Sequence, residues 1–263
     1  MGGPGASVLL RDPLTRRQEE DLDVWLRSIA QNLEKGARSY EFWLDDGAFP
    51  GTVSRCTFYL SLENAQTRWD ADEVRNSKEL LGYLPTQAIE VSSGCNQRED
   101  HTTLGQFVLH LARIYDGLIS MDGAIEPPMK PENQKRYVEF WTAPPSEHAK
   151  ARKAYFTAKL REFRDSLPPG TTPFDIQKYV TDPASPLRAI EADVEARYGP
   201  LIPPEIEELE PSLDEIHAYV SAMPGTVYEI GYTTADGRRW VFHIVDVPFF
   251  QAWMRHPHFH MIK

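Results

Sequence analysis

Three histidines near the end of the chain, His256, His258 and His260, alternate with other residues, and His243 precedes them with Asp246 close by. Alternate residues of an extended chain share a face, so imidazoles at this spacing can converge on a divalent metal with a carboxylate completing the set. Pro257 interrupts that regular geometry, and no His-Glu-x-x-His pairing accompanies it. A second constellation is Cys95 followed by Asp100 and His101. A thiol placed before a helix N-terminus has a lowered pKa, and a nearby histidine can assist it. Glu99 and Asp100 also have a plainer use there, as acids favoured by the helix dipole.

A third constellation runs Pro204-Glu205-Ile206-Glu207-Glu208-Leu209-Glu210, with carboxylates and apolar side chains between prolines. Such a strip attracts a basic surface at range and anchors it on contact. Other chemistries leave no motif. The nucleophile elbow and the dinucleotide fingerprint are absent, and Gly2-Gly3-Pro4-Gly5 lacks the Lys-Ser/Thr of a phosphate loop. The sequence therefore favours a binding protein over an enzyme, with Glu205, Glu207, Glu208 and Glu210 as the partner-binding residues. No catalytic set, metal or cofactor is expected on that reading. The alternative is a hydrolase with a dispersed site, metal-dependent through His243, His256, His258 and His260 or thiol-dependent through Cys95 and His101. A structural adaptor using Lys150, Arg152, Lys153, Lys159, Arg161 and Arg164 on helical faces is a third possibility.

Composition narrows the partner. The chain of 263 residues carries a formal net charge of −11, a field that disfavours nucleic acid and anionic membranes and favours basic partners. Two cysteines are too few for a disulfide scaffold. The chain has neither an apolar run approaching the about 18 residues needed to span a bilayer nor a secretory-type start, so a cytoplasmic location is expected.

The elements that must position these residues read as α+β. Thr15 with Gln18 and Ser212 with Glu215 have capping-box spacing. They open helices predicted over 15–35, where Leu22, Trp25, Leu26, Ile29 and Leu33 share a stripe, and over 212–222. Leu104, Phe107, Val108, Leu111 and Ile114 mark another helix at 100–115, and 72–81 a shorter one. Alternation predicts strands at 7–10, at Tyr40, Phe42 and Leu44, over 53–62, at 88–91 and over 117–123. A hairpin over 226–247 is centred on Asp236-Gly237, and Pro248 opens a last helix whose apolar tail docks on the body.

Pro127, Pro128, Pro131, Pro144, Pro145, Pro168 and Pro169 stop regular elements in the middle of the chain, where the charge balance also turns basic. Residues 1–125 and 212–263 are thus expected to form one body, a mixed or antiparallel sheet covered by helices. Residues 126–211 then form a helical, Pro-rich insertion, with inward Tyr155, Phe156, Leu160 and Phe163 on its helix over 149–163.

The segments 224–230, Gly237-Arg238-Arg239-Trp240 and Ala252-Trp253-Met254-Arg255-His256-Pro257-His258-Phe259-His260-Met261-Ile262-Lys263 resemble a bacterial family of unknown function. The stretch 88–123, with Cys95-Asn96 and Glu99-Asp100-His101, is similar to the same family. The resemblance covers most of both ends but not 126–211, and it brings no catalytic set. Proteins of this kind resemble, in size and acidity, immunity proteins encoded beside bacterial toxins. That resemblance implies a cytoplasmic antitoxin that binds a cognate toxin of basic surface and occludes its active site.

Overall fold

The computed structural model describes residues 4–50, 56–69, 71–94, 97–121, 123–168, 185–233 and 239–261. The chain divides into two compact units, Met1–Pro128 with Ser212–Lys263, and Met129–Pro211.

The described strands are β1 (Gly5–Leu10), β2 (Ala30–Lys35), β3 (Ser39–Leu44), β4 (Thr57–Glu63), β5 (Gln87–Ser93), β6 (Leu118–Ser120), β7 (Val227–Thr233) and β8 (Arg239–Val245). The described helices are α1 (Arg16–Ile29), α2 (Ala71–Leu81), α3 (Arg98–Ile114), α4 (Pro131–Thr142), α5 (Glu147–Ser166), α6 (Pro186–Tyr198), α7 (Pro204–Glu207), α8 (Leu213–Ser221) and α9 (Val247–Met254).

All the strands lie in the first unit and form one antiparallel sheet in the order β2-β3-β4-β5-β1-β6-β8-β7. The class is α+β, as the alternation and capping signals indicate. β5 and β6 flank β1 on either side, and α3 carries the chain from one to the other across it.

One face of the sheet builds the main core. Period-2 alternation turns Val8, Phe42, Leu44, Phe58, Leu60, Ile89 and Val91 to this face, where Leu22 and Leu26 of α1, Leu104 and Phe107 of α3 and Phe249, Phe250 and Trp253 of α9 cover them. Each such side chain contributes about 1.5–3 kcal/mol on leaving water, which ties α1, α3 and α9 to the sheet. On the other face a smaller cluster of Leu9, Ala88, Ile230, Phe242 and Ile244 packs with Trp69 and Leu81. Here Asn76 of α2 donates 2.7 Å to the carbonyl of Gly231 on the edge strand β7.

The predicted capping boxes form. Thr15 Oγ1 accepts from the backbone of Gln18, and Ser212 Oγ from that of Glu215, each returned by the partner's side chain. The tail docks as expected: Met261 is buried, and its N–H donates 2.9 Å to His101 Nδ1. The hairpin forms between β7 and β8, and its turn at Asp236-Gly237 lies outside the described residues.

Other expectations are corrected. The first helix ends at Ile29 rather than running to 35, and Ala30–Lys35 pairs with β3 as strand β2. Leu33 continues the helical stripe only by coincidence of spacing. Asn32 has φ 50, a left-handed conformation that no α-helix accommodates, and the ladder bulges between Gln31 and Glu34. Ile114 stands 53% exposed, so the α3 stripe closes at Ala112. The strand predicted over 117–123 contracts to 118–120, and Asp122 is outside the described residues.

Helix α4 forms where prolines read as stops. Pro131 sits in its first turn, where the missing N–H would have had no partner. In α5, Tyr155, Phe156, Leu160 and Phe163 are half-buried rather than fully inward. Gly225 is required for another reason. Its φ is +104, and a Cβ there would stand 2.2 Å from the Phe249 nitrogen, so only glycine lets the chain pass the start of α9.

Candidate functional site

The histidines singled out by spacing do separate tasks. His243 lies on β8 with no exposed surface, and its Nδ1 accepts from Ile125 N–H at 2.7 Å. Its Nε2 then carries the proton and has no hydrogen-bond partner among the described residues. Burial pushes the His243 pKa down to about 4.

His256 stacks on Trp253 with centroids 5.3 Å apart and accepts at Nδ1 from the Tyr219 hydroxyl at 3.2 Å. Burial, then the neighbouring His258, lowers its pKa. His260 Nδ1 donates to its neighbour's carbonyl, that of His258, at 2.9 Å. These rings knit the tail around Trp253, and among the described residues no group of three or more His, Cys, Asp or Glu converges as a metal set.

Cys95 lies outside the described residues. Its predicted partners are placed: Asp100 is buried and accepts from Gln97 N–H at 2.7 Å as the reciprocal cap of α3, and the nitrogen through which His101 would act as a base already accepts from Met261.

The acidic strip falls on α7 and the residues after it. Glu205 and Glu208 are exposed, and Glu210 accepts from the Tyr137 hydroxyl at 3.5 Å. The Glu207 side chain is outside the described residues. Ile206 and Leu209, expected as contact anchors, are turned inward at 8% and 6% exposure, so the strip offers charge without apolar anchors.

A different surface brings acceptors and aromatic faces together. On the side of the sheet away from the main core, two neighbouring rows cross five strands in register. In the first, Ser39 stands opposite Ser61, Ser61 opposite Glu90, Glu90 opposite Ser7 and Ser7 opposite Ser120. In the second, Glu34 stands opposite Glu41, Glu41 opposite Tyr59, Tyr59 opposite Ser92 and Ser92 opposite Gly5.

Apart from Ser120, the residues of both rows line a cleft of about 540 Å³. Past Ser7 and Glu90 a second hollow of about 270 Å³ is bounded by Trp69, Glu73, Tyr232 and Phe242. Burial, and then the charges of Glu73 and Glu126, raise the pKa of Tyr232. Tyr59, in the cleft lining, is 45% exposed, and Trp43, two residues beyond Glu41 on β3, is 43% exposed.

Three features set this cleft apart from an ordinary solvated sheet face. Glu34 and Glu41 are cross-strand neighbours of like charge, a pairing that destabilises a ladder, and neither is in an ion pair among the described residues. Lys35, which also lines the cleft, is held 3.0 Å from Asp23. Ser7, only 2% exposed, is shared by the linings of both hollows.

None of these cleft residues stands out in the sequence alone. The available signal was Glu90, a carboxylate in the middle of an otherwise apolar strand, Ala88-Ile89-Glu90-Val91.

A family of unknown function (DUF6368) matches residues 2–263. The chain belongs to it. The DUF6368 match runs through 126–211, which the resemblance read from the two ends did not reach, so the middle segment is part of the family pattern. No curated protein and no solved structure matches the chain. No described helix is long and apolar enough to cross a membrane.

Proposed function

We propose that this protein acts by binding a basic protein partner, and that it is an immunity-type antitoxin of the bacterial cytoplasm that occludes the active site of its toxin. The observation that carries the binding reading is the cleft on the sheet face away from the main core, where Glu34 and Glu41, in no ion pair among the described residues, share a face with exposed Trp43 and Tyr59. Interfaces place buried aromatic anchors at their centre and use charge to steer encounter and fix register. The net charge of −11 supplies that steering field. Glu205 and Glu208 on the second unit add to it as exposed charges.

Affinity capture of the tagged full chain from its native host, with mass spectrometry of what co-purifies, tests the proposal. The expected result is a stoichiometric basic protein whose toxicity is suppressed by this chain. Its association rate should fall by roughly tenfold or more between 50 and 500 mM salt. Capture of no stoichiometric partner, or of one whose association ignores salt, contradicts it.

A further inference from the structure

We infer that the hollow bounded by Trp69, Tyr232 and Phe242 is a binding site for a methylated ammonium group, a function that goes beyond the partner reading above and does not rest on it. The hollow exists because small side chains floor it. Ser7 of β1 stands opposite Ser120 of β6, and Ala88 of β5 opposite Leu9. Ser7, Ala88 and Ser120 are each 2% exposed, so the floor is closed.

The wall is held in place by one hydrogen bond. Asn76 fixes α2 against β7 through its 2.7 Å contact with the Gly231 carbonyl. Tyr232 is the next residue of β7, and Glu73 lies one turn before Asn76 on α2, so both border the hollow. Trp69, just ahead of α2, and Phe242 of β8 complete the wall. The volume of about 270 Å³ is below the roughly 300–1,000 Å³ of a pocket for a drug-sized ligand, and it suits a head group.

The rings decide the chemistry. Trp69 and Tyr232 each lie against Phe242, with centroids 6.3 and 6.2 Å apart and planes inclined by 39° and 46°. They are splayed rather than stacked flat. Ring faces are negative, so three of them around one space attract a cation. None of the described lining residues is basic, and Glu73 and Glu90 are acidic. The charge of Glu73 reaches the rings: after burial, it is the largest cause raising the pKa of Tyr232.

Methylation follows from the rest of the lining. A bare ammonium has three N–H donors and a guanidinium five, each needing an acceptor once water is lost. Leu9, Ala65, Ala88 and the rings offer none from their side chains. Methyl groups need none, and they gain by leaving water, so a methylated ammonium keeps the charge at the lowest desolvation cost.

Calorimetric titration of the full chain at fixed ionic strength tests the inference. The probes are choline, its uncharged isostere 3,3-dimethylbutan-1-ol, ethanolamine, and a blocked tripeptide with a central trimethyllysine. Choline or the trimethyllysine peptide should bind at least about tenfold more tightly than the isostere and ethanolamine. Tighter binding of choline assigns the site to a small molecule, and tighter binding of the peptide assigns it to a modified side chain. Trp69→Phe should weaken the preferred cation less than Trp69→Leu, which should weaken it at least about tenfold. Glu73→Gln should shrink the preference over the isostere, and E34Q/E41Q should leave it unchanged.

No saturable binding of either methylated cation, equal binding of the isostere, or equal affinity in wild type and Trp69→Leu overturns the site. An equal loss in E34Q/E41Q also does, because those carboxylates lie outside the hollow. Glu73→Gln changes charge without removing packing, so it reads the electrostatic arm even if Trp69→Leu does not fold, which its unfolding curve shows.

Discussion

Replacing Trp253 with alanine is expected to lower the stability of the sheet-bearing unit by about 3–5 kcal/mol. Trp253 has no exposed surface and belongs to the main core through α9. Four rings surround it: His256 at 5.3 Å, His260 at 5.6 Å, Phe259 at 6.0 Å and Tyr219 at 6.4 Å. Its Nε1 donates to the carbonyl of His260 at 3.3 Å. Truncation removes the packing of α9 and the pivot around which the tail folds back toward His101. Chemical denaturation read by far-ultraviolet circular dichroism measures the loss, and hydrogen exchange should show the His101–Met261 contact opening first. A loss below about 1 kcal/mol would place the anchor of the tail elsewhere. Trp253→Phe keeps most of the apolar volume and should cost less, since it forfeits one hydrogen bond and part of the ring contact.

The second large effect is a dependence on pH. His243 has an ordinary pKa of 6.5 and one of about 4 in the folded chain, because burial disfavours its charged form. Between these values the unfolded chain binds the proton and the folded chain does not, so stability rises with pH across this window. His243 imposes no penalty above about pH 6.5, and the penalty is complete below about pH 4. The difference in pKa corresponds to about 3 kcal/mol at 1.36 kcal/mol for each unit.

Protonation also removes the acceptor that holds Ile125 N–H at 2.7 Å. His243→Gln keeps an acceptor and cannot titrate. Between pH 7 and 4, wild type should therefore lose about 3 kcal/mol more than this variant in urea denaturation. His256 and His110 also have lowered pKa values, but they are present in both proteins and cancel in the comparison. Parallel pH profiles would contradict the assignment.

What the sequence disclosed and what it hid follow the range of the interactions. The capping boxes at Thr15 and Ser212 close within one turn, so residue types three positions apart announce them. Phe42 and Phe58 alternate with polar neighbours because one sheet face is dry, and that pattern is visible from a few residues. β2 was hidden because its strand state depends on pairing with β3 and on a left-handed Asn32, neither of which Leu33 or Gly36 can signal. α4 was hidden because a proline in the first turn of a helix looks the same in a sequence as a proline that ends one.

The binding cleft was the least legible feature, for the same reason. Ser7, Ser61 and Glu90 are distant in the chain and unremarkable one by one. Only strand register sets them in a row, and register is a tertiary property. The acidic strip at 205–210, by contrast, was conspicuous because it is contiguous. The structure then turned its apolar residues, Ile206 and Leu209, inward.

Carboxyl footprinting of the partner-bound and free protein, with water-soluble carbodiimide and peptide mass spectrometry, tests the central claim most directly. It reads Glu34, Glu41, Glu205 and Glu208 in one experiment. The account predicts that Glu34 and Glu41 lose reactivity in the complex while Glu205 and Glu208 keep theirs. Unchanged reactivity at Glu34 and Glu41, with protection confined to Glu205 and Glu208, would contradict it and move the interface from the sheet to the second unit.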